Sequence, residues 1–151
     1  MVSLDGRGIR VKTLVYPTRG LRVLVVDDEQ IIASTVATIL QIHGFSATFF
    51  TNPLQALSSA RLESPDLLIS DVLMPEMSGV DLALLIREEC PECTVLLFSG
   101  QAATRDLLSK ARYLGNDFEL LLKPIHPTDL LCEVRNKLKA RTSPIREGVQ
   151  N

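Results

Sequence analysis

Leu67-Leu68-Ile69-Ser70-Asp71-Val72-Leu73-Met74-Pro75 is the stretch on which the reading of this chain turns. An apolar run of strand type ends in a single carboxylate, Asp71, and a proline-containing loop follows. Three other stretches repeat that pattern of an apolar run closed by a polar residue. Val25-Val26-Asp27-Asp28 precedes it; Leu97-Phe98-Ser99-Gly100 and Leu122-Lys123-Pro124 follow it. Runs this short and this apolar fit strands covered on both faces, which lose the alternation of a half-exposed strand.

Helical patterns lie between the runs. Ile32, Val36, Ile39 and Leu40 form one stripe of a 3.6-residue period over about 30–43, and Gly44 suits the position just past the helix end. Asn52-Pro53 is an N-cap with proline in the first turn, opening a helix to about Leu62. Ser78, with Asp81 three residues on, caps a third helix whose stripe is Leu82, Leu85 and Ile86 and which Pro91 stops. A fourth helix is expected from Ala103 to Leu114 with Leu107, Ala111 and Leu114 inward. Pro127 opens a fifth, with Leu130, Val134 and Leu138 in register.

Strands at 21–26, 46–50, 67–70, 94–98 and 118–122 thus alternate with five helices. Such alternation predicts an α/β doubly wound parallel sheet joined by right-handed crossovers. Ligands of such sheets gather at the carboxyl ends of the strands. Asp27, Asp28, Asp71, Ser99 and Lys123 would all stand on that edge. The domain is expected over 21–140. Residues 1–20 show no sustained period, are locally basic through Arg7, Arg10, Lys12 and Arg19, and read as a flexible extension, with 11–16 an optional edge strand. Residues 141–151 read as a polar tail.

The 151 residues suit one domain with a proper core, and a net charge of −2 gives no general electrostatic case for nucleic acid. No apolar run approaches the roughly 18 residues of a membrane span, and no signal-peptide pattern opens the chain. A cytoplasmic protein without membrane or direct nucleic-acid contact is expected. Cys90-Pro91-Glu92-Cys93 spells C-x-x-C, but Cys90 falls at the end of a helical pattern, where the dipole has the wrong sign to activate a thiol. It reads as two small residues in a turn. His43 and His126 are too few and too far apart in pattern to build a metal site alone.

Taken together, Asp27-Asp28, Asp71 with Val-Leu-Met-Pro after it, Met77-Ser78-Gly79, Ser99 and Lys123-Pro124 resemble the receiver domain of bacterial two-component response regulators, in its stand-alone, chemotaxis-regulator-like form. The resemblance covers about 21–140. It implies a flavodoxin-like five-stranded sheet in the order 2-1-3-4-5 with five helices. It implies that Asp71 takes a phosphoryl group from a sensor histidine kinase or phosphotransfer protein. Asp28, Asp71 and the Leu73 backbone carbonyl would bind Mg²⁺, with Asp27 holding a metal-bound water. Ser99 and Lys123 would hold phosphoryl oxygens, and the Lys123–Pro124 peptide would be cis. The protein would catalyse only its own phosphorylation and dephosphorylation, and an output protein not named by the sequence would read the result.

The physical chemistry agrees. Three carboxylates and one lysine leave a site charge of −2, which raises carboxyl pKa values and repels a phosphoryl dianion. A hard divalent cation relieves both problems, and Mg²⁺ prefers few carboxylates plus water and phosphate oxygens. Phosphoryl transfer is mainly positioning and charge stabilisation, and a carboxylate is a competent nucleophile for it.

Two positions depart from the family pattern, Leu120 and Glu76. Leu120 stands where an aromatic switch residue is usual, with Phe118 two residues before it, in a segment 115–123 that looks one residue long. Glu76 sits where glycine is common. Leu73 and Gln101 flank the route of an attacking water, so Leu73→Asn or Gln101→Glu should change phosphate lifetime. Other functions fit less well. A non-phosphorylated pseudo-receiver would lack an acidic residue or the lysine. A phosphohydrolase would carry a second acid two residues after Asp71, where Leu73 stands. A flavin carrier would have a hydroxyl- and glycine-rich loop in place of Asp27-Asp28-Glu29. With little chain after Ala140 for an output domain, signalling by protein contact is the first expectation, and a receiver piece of a larger regulator the alternative.

Overall fold

The computed structural model describes residues 2–4, 10–12, 20–100 and 105–142. Strands β1 (Val2–Leu4) and β2 (Arg10–Lys12) pair antiparallel with each other as a sheet of their own. Arg10–Lys12 therefore finds its partner within the N-terminal segment rather than along the edge of the main sheet. The rest of the expected extension, and all of the expected tail except 141 and 142, lie outside the described residues.

The main sheet contains β3 (Arg22–Val26), β4 (Ser46–Phe50), β5 (Leu67–Asp71), β6 (Thr94–Ser99) and β7 (Glu119–Leu122), all parallel, in the order β4-β3-β5-β6-β7. Counted without the N-terminal pair, this is the order 2-1-3-4-5 of a flavodoxin-like doubly wound sheet. The helices α1 (Gln30–Ile42), α2 (Pro53–Leu62), α3 (Gly79–Glu89), α4 (Arg105–Tyr113) and α5 (Pro127–Thr142) complete it.

Two cores cover the two faces. On one, Val23, Val25, Leu67, Ile69, Leu96 and Phe98 meet Ala33, Val36, Ala37 and Leu40 of α1 and Leu130, Val134 and Leu138 of α5. On the other, Leu24, Val26, Leu68, Val95 and Leu97 meet α2, α3 and Ala111 of α4. Alternate residues of one strand thus feed opposite cores, and both kinds are apolar. The sequence signal was correct because each pleat face has its own helical layer.

Local chemistry sets the helix ends. The Asn52 side chain accepts from the Leu54 N–H at 2.8 Å, and Ser78 Oγ accepts from the Asp81 N–H at 3.0 Å. Gly44 takes a positive φ of 94° just past α1. One expectation fails: Leu114 is 56% exposed rather than inward. Helix α4 ends at Tyr113, and the turn that follows carries Leu114 off the helical stripe.

Candidate functional site

Strand register gathers the chemistry. Val26 pairs with Ser70, so Asp27 and Asp71, each the next residue, lie side by side. Asp71 pairs with Phe98, and Ser99, one step on, pairs with Leu122, which precedes Lys123. Backbone bonds extend the ladder past the strand ends: the Asp27 N–H donates to Phe50 O at 3.1 Å and the Lys123 N–H to Ser99 O at 3.0 Å. The Lys123–Pro124 peptide is cis.

Lys123 Nζ lies 2.7 Å from Asp27 Oδ2 and 3.4 Å from Asp71 Oδ1. The lysine thus spans two carboxylates on neighbouring strands. Asp27 is buried, and its other oxygen accepts from the Glu29 N–H at 2.9 Å. Asp71 Oδ1 also accepts from the Val72 N–H at 3.0 Å. Burial pushes the Asp71 carboxyl above its ordinary value, and the charge of Asp27 acts in the same direction; Lys123 and the Val72 N–H offset this only in part. Burial pulls Lys123 down, but the bonds and charges of Asp27 and Asp71 outweigh it, so its pKa is raised.

Asp27, Asp28 and Asp71 each bring a carboxylate oxygen within 4.8 Å of the others. Asp28 is exposed, and Asp71 opens onto a cleft of about 290 Å³ lined also by Asp28, Glu29, Leu73, Gly100 and Lys123. An all-oxygen set with one exposed and one half-buried member fits a hard divalent cation entering from solvent. Three carboxylates stand against one lysine, so the cluster carries more negative charge than Lys123 balances.

The Asp71 loop is fixed from behind. The Gly79 N–H donates to Val72 O at 2.7 Å, and a Cβ on Gly79 would fall inside the Asp71 carbonyl oxygen and 2.9 Å from Ser70 Oγ. Only glycine lets α3 start so close to β5. Glu76, in the same loop, has a φ of 72°. This is the left-handed region, which accounts for the glycine expected there.

Asp27, Asp28, Asp71 and Lys123 thus come together, with Ser99 buried at the end of β6 and Leu73 37% exposed in the cleft wall. Gln101 lies outside the described residues. The N-cap of α1 is Glu29, whose side chain makes no cap hydrogen bond, and Asp27 Oδ1 accepts from the Glu29 N–H just ahead of the helix. Leu120 sits half-buried on the α4-facing side of β7, and Phe118 packs into the same core with the Arg87 guanidinium 5.3 Å from its ring centre. Cys90 and Cys93 are buried and not joined in a disulfide, at the helix end and strand start expected of them. Two contributors were missed. Glu29 was visible only as the third acid of Asp27-Asp28-Glu29. Gly79 stands in the Met77-Ser78-Gly79 motif, but a close approach between α3 and β5 leaves no mark in local sequence.

The family model for the response regulator receiver domain matches residues 23–135. The probable transcriptional regulatory protein TcrX of Mycobacterium tuberculosis is 32% identical over 117 residues, which is 78% of this chain and 49% of that protein. The DNA-binding response regulator MtrA of Mycolicibacterium paratuberculosis is 30% identical over 118 residues, 78% of this chain and 51% of that protein. The chain therefore spans about half the length of these curated relatives. Among solved structures, the signal receiver domain of an HD domain-containing protein from Pseudomonas fluorescens superposes with a TM-score of 0.75 at 28% identity, covering 83% of this chain and 99% of that one.

Proposed function

The chain belongs to the response regulator receiver domain family, and from that premise we propose that Asp71 is its phosphoacceptor, loaded by a sensor histidine kinase or phosphotransfer protein with Mg²⁺ as cofactor. The observation that carries this is the Asp71 carboxylate, set at a strand end in an open cleft within the three-carboxylate cluster and 3.4 Å from the Lys123 ammonium.

An Asp71 oxygen forms a bond to phosphorus as the donor's P–N bond breaks, and the leaving imidazole nitrogen keeps the electron pair and takes a proton. The Val72 N–H holds one carboxylate oxygen, fixing the other for attack. Lys123 swings from its contact with Asp71 to pair with a phosphoryl oxygen while Asp27 keeps it in place. Ser99 supplies a hydroxyl to another oxygen. Asp28, Asp71 and the Leu73 carbonyl would hold the cation, with Asp27 acting through water, and it would supply positive charge against the transferred group. Water later attacks the acyl phosphate, and Leu73 in the cleft wall bears on its access. Self-phosphorylation and self-dephosphorylation are the only reactions proposed, in the cytoplasm; among the described residues no helix is long and apolar enough to cross a membrane.

Incubation with Mg²⁺ and acetyl phosphate should give one acid-stable, base-labile phosphate by mass spectrometry. Its absence in the native chain, or its persistence in Asp71→Asn, defeats the reading. Leu73→Asn should change the half-life of that phosphate, measured by its decay after donor removal.

Output passes by protein contact through the α4–β7–α5 side. A second reading has the chain as the receiver half of a longer regulator acting on DNA. It is favoured by the half-length match to relatives named as transcriptional and DNA-binding regulators. The mass of the protein in its source cells separates the two.

A further inference from the structure

We propose that Glu29 sets phosphodonor selectivity, by placing a charge at the cleft that disfavours small dianionic donors. The proposal rests on the reading of Asp71 as phosphoacceptor.

Glu29 occupies the N-cap position of α1, where a side chain normally turns back onto the helix. Here it makes no cap hydrogen bond. Its backbone N–H is taken by Asp27 Oδ1, and among the described residues its carboxylate has no hydrogen-bond or ion-pair partner. It is exposed and lines the cleft with Asp28, Asp71 and Lys123. Yet it is not one of the three carboxylates close enough to share a cation. Glu29 therefore adds charge to the cleft without joining the cluster.

The charge count gives that addition its effect. Asp27, Asp28, Glu29 and Asp71 against Lys123 leave −3. A divalent cation brings the cleft to −1. Without Glu29 the loaded cleft would be neutral. A small acyl phosphate is a dianion at neutral pH and meets that residual charge directly. A phosphohistidine presented by a protein arrives with neighbouring side chains that can offset it. Glu29 thus acts on approach, through a charge in a largely aqueous cleft, where repulsion is moderate and screened by salt.

Two donors of different charge test this. With acetyl phosphate, an Asp71 oxygen bonds to phosphorus, the P–O bond breaks, and acetate leaves with the electron pair. With phosphoramidate, a monoanion at neutral pH, the P–N bond breaks and ammonia leaves with the proton. Rates are measured on the full chain at saturating Mg²⁺. Glu29→Gln should accelerate acetyl phosphate about three- to tenfold at low ionic strength, and phosphoramidate only about two- to threefold. Both gains should shrink toward unity in about 0.5 M salt, and Glu29→Asp should behave as the native chain does. Calorimetric Mg²⁺ titration should show Glu29→Gln weakening binding less than about tenfold, against a far larger loss in Asp28→Asn. Phosphate on Asp71 at equal rates in native and Glu29→Gln overturns the proposal alone, as does a slower Glu29→Gln. An affinity loss matching Asp28→Asn would make Glu29 a ligand and overturn it too. No phosphate on Asp71 in either protein overturns the phosphoacceptor reading itself.

Discussion

Strands β5 and β7 both end at a lysine- or carboxylate-bearing corner of the same cleft, yet they are built differently. Leu67, Leu68 and Ile69 of β5 are at most 1% exposed, whereas no residue of β7 is fully buried and Leu122 is 69% exposed. The neighbouring helices follow suit. Helix α3 buries Gly79, Val80, Leu82, Ala83 and Ile86, while α4 buries Ala111. Asp71 thus sits on the closely packed half and Lys123 on the looser one. Local stability follows burial, so a change at the cleft should be expressed on the β7 side while Asp71 stays in place.

The contrast is tested most directly by removing matched leucines. Leu68→Ala should cost about 3–5 kcal/mol, because nothing near a fully buried strand residue can collapse into the void. Leu107→Ala, on the half-buried face of α4, should cost roughly 1 kcal/mol. Urea unfolding measures both. Equal losses would mean that the two halves are equally tight.

Gly79→Ala comes next. Alanine is the better helix former, so propensity alone predicts a small gain. The new Cβ would instead collide with the Asp71 carbonyl, and the Gly79–Val72 hydrogen bond would have to give. We expect a loss of about 3 kcal/mol and slower acetyl phosphate labelling even in the folded fraction, because the group displaced belongs to Asp71. A stability gain would show that α3 can retreat without moving Asp71.

These two cases also mark what the chain reveals before it is folded. The sheet, its order and the gathering of Asp27, Asp28, Asp71 and Lys123 were legible because each rests on local marks: an apolar run, a polar residue closing it, a cap, a proline. Register then does the rest, since neighbouring strands ending at matched levels must bring their next residues together. What was not legible depends on distances across the sequence. The proximity of α3 to β5 at Gly79 is one such case, and the place of Glu29 in the cleft lining beside Asp71 and Lys123 is another. The misplaced Leu114 is a third: a helical period continues on paper past the residue where the helix ends.

Asp71→Asn sharpens the comparison through pH. Burial and Asp27 hold the Asp71 proton more tightly in the folded state than in the unfolded chain. From the ordinary carboxylate value, about 4, up to the raised one, the native state binds more protons, so stability falls as pH rises through that window. Above it the penalty is complete. Asparagine removes the charge and keeps an oxygen for the Val72 N–H. Asp71→Asn should therefore be more stable than the native chain at pH 7, by about 0.5–1 kcal/mol after screening, and the gap should close as pH falls toward about 4. Unfolding midpoints measured across that range check it. A gap that widened toward acid would reverse the assigned cause.

The smallest effect is expected at Glu76, where the closely packed half carries its one left-handed non-glycine residue among the described residues. A φ of 72° costs an L-residue on the order of 1 kcal/mol. Glycine escapes that cost but gives up a similar amount in unfolded-chain entropy. Glu76 is exposed, so no packing is lost on its removal. Glu76→Gly should therefore shift stability by only a few tenths of a kcal/mol, in the stabilising direction, whereas Glu76→Val should lose about 1 kcal/mol or more because branching at Cβ tolerates positive φ poorly. If both substitutions cost the same, the glutamate side chain itself holds the loop, and the backbone is not what distinguishes this position.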